Sequence, residues 1–160
     1  MVDYENTRRV VAAGLKNYLD CPIIRSNQIA DPPSYPYVSY TITTIQSENK
    51  GTFGIYEDEI DRKPVIQTWS ISVLSDDDNE CVNLAMKAHE WLEHVGTTYL
   101  NDNHVIVQGL SAITNRDNIL SNGYEHKKGF DVQFWLFDEI TNPILESGRI
   151  ESVENSIIEE

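Results

Sequence analysis

The sequence predicts an α+β domain in which a four-stranded antiparallel sheet carries two helices on one face and a long projecting hairpin arm. Two segments show the 3.6-residue apolar period of amphipathic helices. Four others alternate apolar and polar residues, as half-buried strands do. Their order along the chain is helix, strand, strand, helix, strand, strand. With long antiparallel strands in this order, both helices fall most naturally on one face of a single sheet.

The first helix is predicted over residues 4–19 and ends before Pro22. One face of this helix carries its apolar and aromatic side chains: Tyr4, Val11, Leu15 and Tyr18. Gly14 lies beside this face. Because glycine costs about 1 kcal/mol relative to alanine inside a helix, we expect Gly14 to permit close approach to the sheet.

Residues 37–46 and 65–74 are the first two predicted long strands, rich in β-branched and aromatic residues. The segment between them, residues 47–64, is glycine-bearing, charged and too long for a tight hairpin turn. It predicts a protruding arm, itself a hairpin that turns around residues 51–54.

The second helix follows Ser75 and three aspartates, whose side chains suit the positive end of a helix and can cap its N–H groups. Its apolar stripe runs from Cys81 to Val95, and Gly96 ends it. Residues 104–115 and 127–137 are the remaining two strands. The loop between them contains Asn122-Gly123, the pair that a type I′ turn favours.

The charge of the chain is strongly negative, with 12 basic and 26 acidic residues and a net charge of −14. Two segments hold most of it: residues 76–95 carry −5 and residues 138–160 carry −6. This distribution excludes a basic groove for nucleic acid as the main function. No apolar run is long enough to span a membrane, so no membrane partner is expected. We therefore divide the chain into one domain, residues 1–137, and an acidic C-terminal extension, residues 138–160.

The second face of the predicted sheet is unusually apolar. If Val132, Phe134 and Leu136 face the helices, then Trp135 and Phe137 point away from them. Three further apolar residues are expected on that outer face: Ile45, Ile66 and Leu74. Exposing a large apolar side chain forgoes about 1.5–3 kcal/mol, so the face should be covered. Either the arm or C-terminal extension of the same chain covers it, or a neighbouring copy does.

The candidates for catalysis and metal binding are weak. His89 and His94 are five residues apart, whereas two zinc ligands on one helix need a spacing of four. Asp76, Asp77 and Asp78 fit helix caps, and the carboxylates at 57–61 belong to a solvated arm. No nucleophile elbow, phosphate loop or dinucleotide fingerprint is present. We predict no catalytic, cofactor-binding or metal-binding residue and expect no enzyme.

Four short strings, in their order and spacing, carry a family resemblance. They are Pro36-Tyr37-Val38-Ser39-Tyr40, Gln67-Thr68-Trp69-Ser70-Ile71-Ser72-Val73, Glu90-Trp91-Leu92 and Lys128-Gly129-Phe130-Asp131-Val132. Over residues 4–137 the chain resembles the neck or tail terminator proteins of long-tailed bacteriophages, a family of small α+β subunits. The acidic extension and the details of the arm lie outside this resemblance.

The resemblance implies a structural virion protein at the head–tail junction, assembled in the host cytoplasm. It implies a homohexameric ring that caps the tail tube, stops its polymerisation and meets the head-side connector, while DNA passes through the lumen without specific binding. We expect Ile66, Leu74, Trp135 and Phe137 in subunit contacts, with Phe53 and Tyr56 as further anchors on the arm. Two alternatives stay open: a head-completion (stopper or adaptor) protein of the neck, and a non-viral α+β protein-binding module.

Overall fold

A computed structural model describes residues 1–48, 55–57, 60–121 and 123–141. The helical elements are α1 (Tyr4–Leu19), α2 (Asp78–Glu90), a π-helical turn (Trp91–Val95) and α3 (Thr97–Asp102). The strands are β1 (Ile23–Arg25), β2 (Tyr37–Glu48), β3 (Ile55–Glu57), β4 (Ile60–Ser75), β5 (Ile106–Leu110), β6 (Thr114–Asn115), β7 (Asn118–Leu120) and β8 (Gly123–Thr141). The α+β class predicted from the sequence is confirmed.

The sheet differs from the predicted four-stranded antiparallel one, because it is mixed and has more strands. Its order is β1-β2-β4-β8-β5, with β3 beside β4 and with β6 and β7 beside β8. The strand β1 runs parallel to β2, whereas the other pairs are antiparallel. A parallel pair needs a connection that returns the chain to the starting end of its neighbour, and residues 26–36 make that connection between β1 and β2.

The longest pairing joins β4 and β8 without a register shift, from Ile60 opposite Thr141 to Ser75 opposite His126. The strand β8 therefore continues past its predicted end at residue 137, and the domain boundary placed there falls inside a strand. The predicted third strand, residues 104–115, is divided into β5 and β6. Gly123 does not occupy the turn as predicted; it pairs with Leu120 as the first residue of β8, with a φ of 138°.

The predicted arm is largely an extension of the sheet. The strand β2 continues to Glu48, and β3 pairs with the beginning of β4, where Glu57 lies opposite Ile60. The strands β3 and β4 therefore run in opposite directions on either side of residues 58 and 59. Phe53 and the predicted turn around residues 51–54 lie outside the described residues.

The core lies between the helices and the inner face of the sheet. Val132, Phe134 and Leu136 are buried there as predicted, together with Trp69 and Ile71 of β4. They pack with buried residues of α1, of α2 and of the segment that follows α2: Val10, Val11, Leu15, Leu19, Cys81, Ala85, Ala88, Trp91, Leu92 and Leu100. The buried face of α1 is rotated from the predicted one, because Val10 and Leu19 are buried while Tyr18 is exposed.

Gly14 permits a close approach, but to aromatic rings of the helical layer rather than to the sheet. A Cβ atom at Gly14 would lie 2.5 Å from Cζ2 of Trp91 and 2.7 Å from Cε1 of Tyr99. Gly96 lies against the same indole ring. The apolar stripe predicted for one helix therefore continues through the π-helical turn that carries Trp91, and α3, which the sequence did not predict, supplies Tyr99. Within the described ranges, no helix combines the length and apolar character needed to cross a bilayer.

Candidate interaction surface

Side chains that lie opposite one another in register share a face of the sheet, so the register shows which residues form the outer face. This face has a polar half and an apolar half. In the polar half, Ser72 of β4 lies between Ser39 of β2 and Gly129 of β8. In the apolar half, Ile66 lies opposite Trp135, and Pro64 opposite Phe137. Among the described residues, the end of the outer face with Ile66, Trp135 and Phe137 is therefore suited to apolar contact.

Arg116 covers the polar half. Its Nη1 donates to the hydroxyls of Ser70 and Ser72, at 2.9 and 3.0 Å, and its Nη2 lies 3.4 Å from the Asp131 carboxylate. The guanidinium can lie flat here because Gly129 has no side chain: a Cβ there would be 2.7 Å from Nη1. The arginine links the β6–β7 segment to β4 across the intervening strand β8.

The apolar half contains three of the residues predicted for subunit contacts. Phe137 is 38% exposed, Trp135 and Ile66 are half-buried, and the two aromatic ring centroids are 6.4 Å apart. The Nε1 atom of Trp135 is shielded from solvent and has no hydrogen-bond partner within the described part of the chain. Ile45, also expected on this face, is 65% exposed. We call Ile66, Trp135 and Phe137 the apolar patch.

Leu74 does not belong to this surface. Its register places it on the outer face as predicted, between Tyr37 and Lys127 at the opposite end of the sheet from the apolar patch. However, Leu74 is only 6% exposed within the single chain. It therefore has little area left to offer a partner. For Tyr56, which lies in β3, the side chain is outside the described part, as is Phe53 altogether.

A charged cluster lies where β8 passes the start of α2. The Nζ atom of Lys128 is 2.7 Å from Asp117 and 3.1 Å from Asp78. The Nδ1 atom of His126 is 3.3 Å from Asp78 and 3.5 Å from Asp117. Ligand atoms of Asp78, Asp117 and His126 lie within 4.8 Å of one another, a spacing compatible with a metal ion. The Lys128 ammonium already supplies a cation to both carboxylates, so the lysine and the two aspartates form a salt-bridge network. The buried Nδ1 of His126 lies beside this network without a hydrogen bond to the described residues.

The same cluster shifts the pKa of its members. The hydrogen bond from Lys128 lowers the pKa of Asp117 below its usual value. Burial alone would lower the pKa of Lys128, but hydrogen bonds to Asp117 and Asp78 outweigh burial and leave it raised. Of the aspartates predicted as helix caps, Asp77 occupies the N-cap position but makes no side-chain cap hydrogen bond. The Asp78 carboxylate instead forms a salt bridge with Lys128.

The histidines considered for zinc do not converge. The Nε2 atom of His89 lies 3.1 Å from the Ser111 carbonyl, and its ring packs edge-on against Phe130. His94 is exposed in the π-helical turn. The side chains of Glu57, Glu59 and Asp61 are outside the described residues.

A second exposed apolar feature was missed by the sequence interpretation. The hairpin of β7 and β8 carries Ile119 opposite Tyr124, and Ile119 is 80% exposed. Leu120 is exposed at its end. The alternation in Asn118-Ile119-Leu120 was too short to predict a strand. This hairpin and the apolar patch lie toward opposite ends of β8.

The comparison with protein families decides what kind of molecule carries these surfaces. A family model described as "Phage neck terminator protein" matches residues 8–160. The chain belongs to this phage neck terminator family. The resemblance found in the sequence is thereby confirmed, and membership indicates a structural protein of the phage neck that contacts head and tail proteins.

Other comparisons add little to the family assignment. Twenty-six chains from solved structures match this one. One of them shares 11% sequence identity and has a TM-score of 0.40, with 84% of this chain and 96% of that chain covered. That likeness is too distant to carry an argument about the terminator's function. No curated protein sequence matches the chain.

Proposed function

We propose that this protein forms a homo-oligomeric ring at the head–tail junction, with six copies as the resemblance implies. The ring caps the tail tube, ends its polymerisation and joins the tail to the head-side connector. Its partners are other copies of itself, the tail tube protein and the connector. Membership in the neck terminator family is the observation that carries the proposal.

The apolar patch supports subunit contact through a simple area argument. A ring of one subunit type needs a heterologous interface, in which one patch meets a different patch of the next copy. Phe137 leaves 38% of its surface exposed. For an aromatic side chain of about 200 Å², covering that fraction buries about 75 Å² and contributes about 2 kcal/mol per copy. Repeated around a ring, this contact would favour the closed assembly strongly.

The two aromatic residues extend this contact beyond a single side chain, since their ring centroids are 6.4 Å apart and Trp135 is half-buried. In our proposal a neighbouring copy covers Ile66, Trp135 and Phe137. Phe53 and Tyr56 are proposed as further anchors of the arm.

The negative charge supports a conduit for DNA. Each phosphate bound by a lysine or arginine adds salt-dependent affinity, which would retard a genome passing through the ring. With a net charge of −14 per copy, a lumen lined by acidic side chains repels the phosphate backbone. DNA is accordingly proposed to pass without specific binding.

The test is the Phe137→Glu variant in assembling phage, with Met86→Glu as its matched control. Both positions are exposed apolar residues, but Met86 lies on α2, on the other side of the sheet. We expect Phe137→Glu to leave tails uncapped, irregular in length and unjoined to heads, while Met86→Glu assembles normally. Electron micrographs and co-sedimentation with isolated tails measure this.

Two results would count against the proposal. Capped tails of uniform length in the Phe137→Glu phage would remove the apolar patch from the interface. Co-purification of the wild-type protein with tail-free heads, and not with isolated tails, would favour a head-completion protein instead.

A further inference from the structure

We propose that the acidic C-terminal segment, residues 142–160, docks in a groove on α1 of the same chain that is lined by Arg8 and Arg9. The inference does not rest on the ring. It comes from the groove, from the position at which the described chain ends, and from the charge of the segment that follows.

The groove lies along the first turns of α1 and has a volume of about 470 Å³. Asn6, Arg8, Arg9 and Tyr40 line it, together with two acidic residues, Asp3 and Glu5. Asp3 is already engaged at the helix terminus, since its Oδ1 accepts the backbone N–H of Asn6 at 3.0 Å. Glu5 is exposed, so water and salt screen its charge, and Arg8 and Arg9 are the cationic groups of the groove.

The two arginines differ in what they offer an incoming carboxylate: Arg8 supplies mainly positive charge, and the exposed Arg9 supplies N–H donors. The Nε atom of Arg8 is shielded from solvent and has no hydrogen-bond partner within the described residues. Its guanidinium lies over the Tyr4 ring, 5.8 Å from the ring centroid, which fixes its orientation. Arg9 donates from Nη2 to Asn6 at 2.8 Å and is otherwise exposed. A carboxylate is the acceptor that a guanidinium binds best, because two N–H groups can engage its two oxygens.

The end of β8 brings the segment to this groove. Asp138 of β8 lies 2.8 Å from the amino group of Met1, next to the start of α1. Arg8 and Arg9 follow Tyr4 by four and five residues, or about 6–8 Å along the helix axis. Because β8 stays paired with β4 as far as Thr141, the reach of the segment counts from that residue. Glu151 and Glu154 follow Thr141 by ten and thirteen residues, which span about 33 and 43 Å when extended. These glutamates can therefore turn back to the groove without strain.

The charge of the segment suits this site better than the rest of the molecule. Residues 142–160 contain five glutamates and Arg149, a net charge of −4, whereas residues 1–46 have four acids and four bases. Residues 76–95, at the start and along α2, carry −5 and would repel the segment. The α1 surface therefore offers two guanidinium groups in a part of the chain whose net charge is zero, where repulsion of the acidic segment is weak.

The experiment places a photo-crosslinker on the segment in the full-length chain. Ser156→Cys is labelled with a benzophenone maleimide; the native thiols of Cys21 and Cys81 are buried, and burial raises their pKa, so they react poorly. After illumination, crosslinked peptides are mapped by mass spectrometry. We expect crosslinks to residues 3–12, in a product with the mass of one chain.

Variants make the assignment specific. Arg9→Glu and Glu151→Gln with Glu154→Gln should each cause loss of the α1 crosslinks, as should about 0.5 M NaCl, where the Debye length is about 4 Å. Lys16→Glu, an exposed charge reversal on the same helix outside the groove, should retain them. Circular dichroism checks that each variant is folded. Crosslinks that map elsewhere, persist in Arg9→Glu, or appear only between two chains would overturn the proposal. Light scattering on the same samples reports the oligomeric state separately.

Discussion

Replacing Gly14 by alanine should destabilise the protein, although alanine is the better helix former. A Cβ at this position would lie 2.5 and 2.6 Å from Cζ2 and Cη2 of Trp91, and 2.7 Å from Cε1 of Tyr99. Burial confines the Trp91 ring, and a hydrogen bond holds the more exposed Tyr99 ring. Trp91 is buried and has Gly96 against it, and the Tyr99 hydroxyl donates to the Val10 carbonyl at 2.9 Å.

The magnitude follows from two opposing terms. Overpacking a buried site costs about 1–3 kcal/mol, and contact with two held rings places Gly14→Ala near 3. Helix propensity returns about 1 kcal/mol. We therefore expect the free energy of unfolding to fall by about 2 kcal/mol. Urea unfolding followed by far-ultraviolet circular dichroism measures the change, with an unchanged slope against urea indicating that stability alone has altered.

Two controls make the Gly14 result decisive. Asn17→Ala, on the exposed side of the same helix, should raise stability by a few tenths of a kcal/mol through propensity alone. In the Trp91→Leu background, Gly14→Ala should cost less than in the wild type, because the two residues share one contact. An increase in stability for Gly14→Ala in the wild-type background would refute the reasoning.

Three further predictions concern the outer face and its charged neighbours. Gly129→Ala should lower the free energy of unfolding by about 1–3 kcal/mol, since its Cβ would lie 2.5 Å from a backbone carbonyl and 2.7 Å from the guanidinium above it; urea unfolding tests this. The lowered pKa of Asp117 stabilises the fold above the unfolded pKa of about 4, and this contribution is lost as pH falls through the lower folded value. Lys128→Met should therefore flatten the pH dependence of stability below about pH 4, and an unchanged profile would contradict the pairing. The hydrogen bond to Glu125, 2.5 Å long, raises the pKa of Tyr35 to about 12. In the Glu125→Gln variant, ultraviolet titration should show Tyr35 ionising nearer pH 10. An unchanged pKa of Tyr35 would show that the hydrogen bond is not the cause of the raised value.

Periodicity in the sequence was enough to predict the elements that bury a continuous apolar face. The helix over residues 4–19 was correct to the residue, and Phe134 and its neighbours on β8 face the core as alternation requires. Alternation could not reveal the burial of Leu74, because that depends on what lies beyond the sheet surface. The parallel pairing of β1 also depends on tertiary structure, since three residues carry too little pattern of their own.

The outer face of the sheet was only partly predictable for the same reason. The sequence placed Trp135 and Phe137 on this face because the alternation of a strand assigns successive side chains to opposite faces. The contact of Arg116 with Gly129 could not be predicted from the sequence, because it depends on the register between β6 and β8. The Lys128 cluster likewise joins Asp78 and Asp117, which are far apart in the chain. Such contacts arise only when strands and helix ends are brought together.

The unbroken β4–β8 pairing gives the molecule a mechanical property. Sixteen consecutive residue pairs, about 54 Å of ribbon, run from the apolar patch and arm at one end to the base of the hairpin of Ile119 at the other. Tension applied along this ribbon loads its hydrogen bonds in shear, so they resist together instead of opening one after another. The paired strands can therefore transmit tension between the two ends of the sheet, while each end remains available to contact a different neighbouring protein.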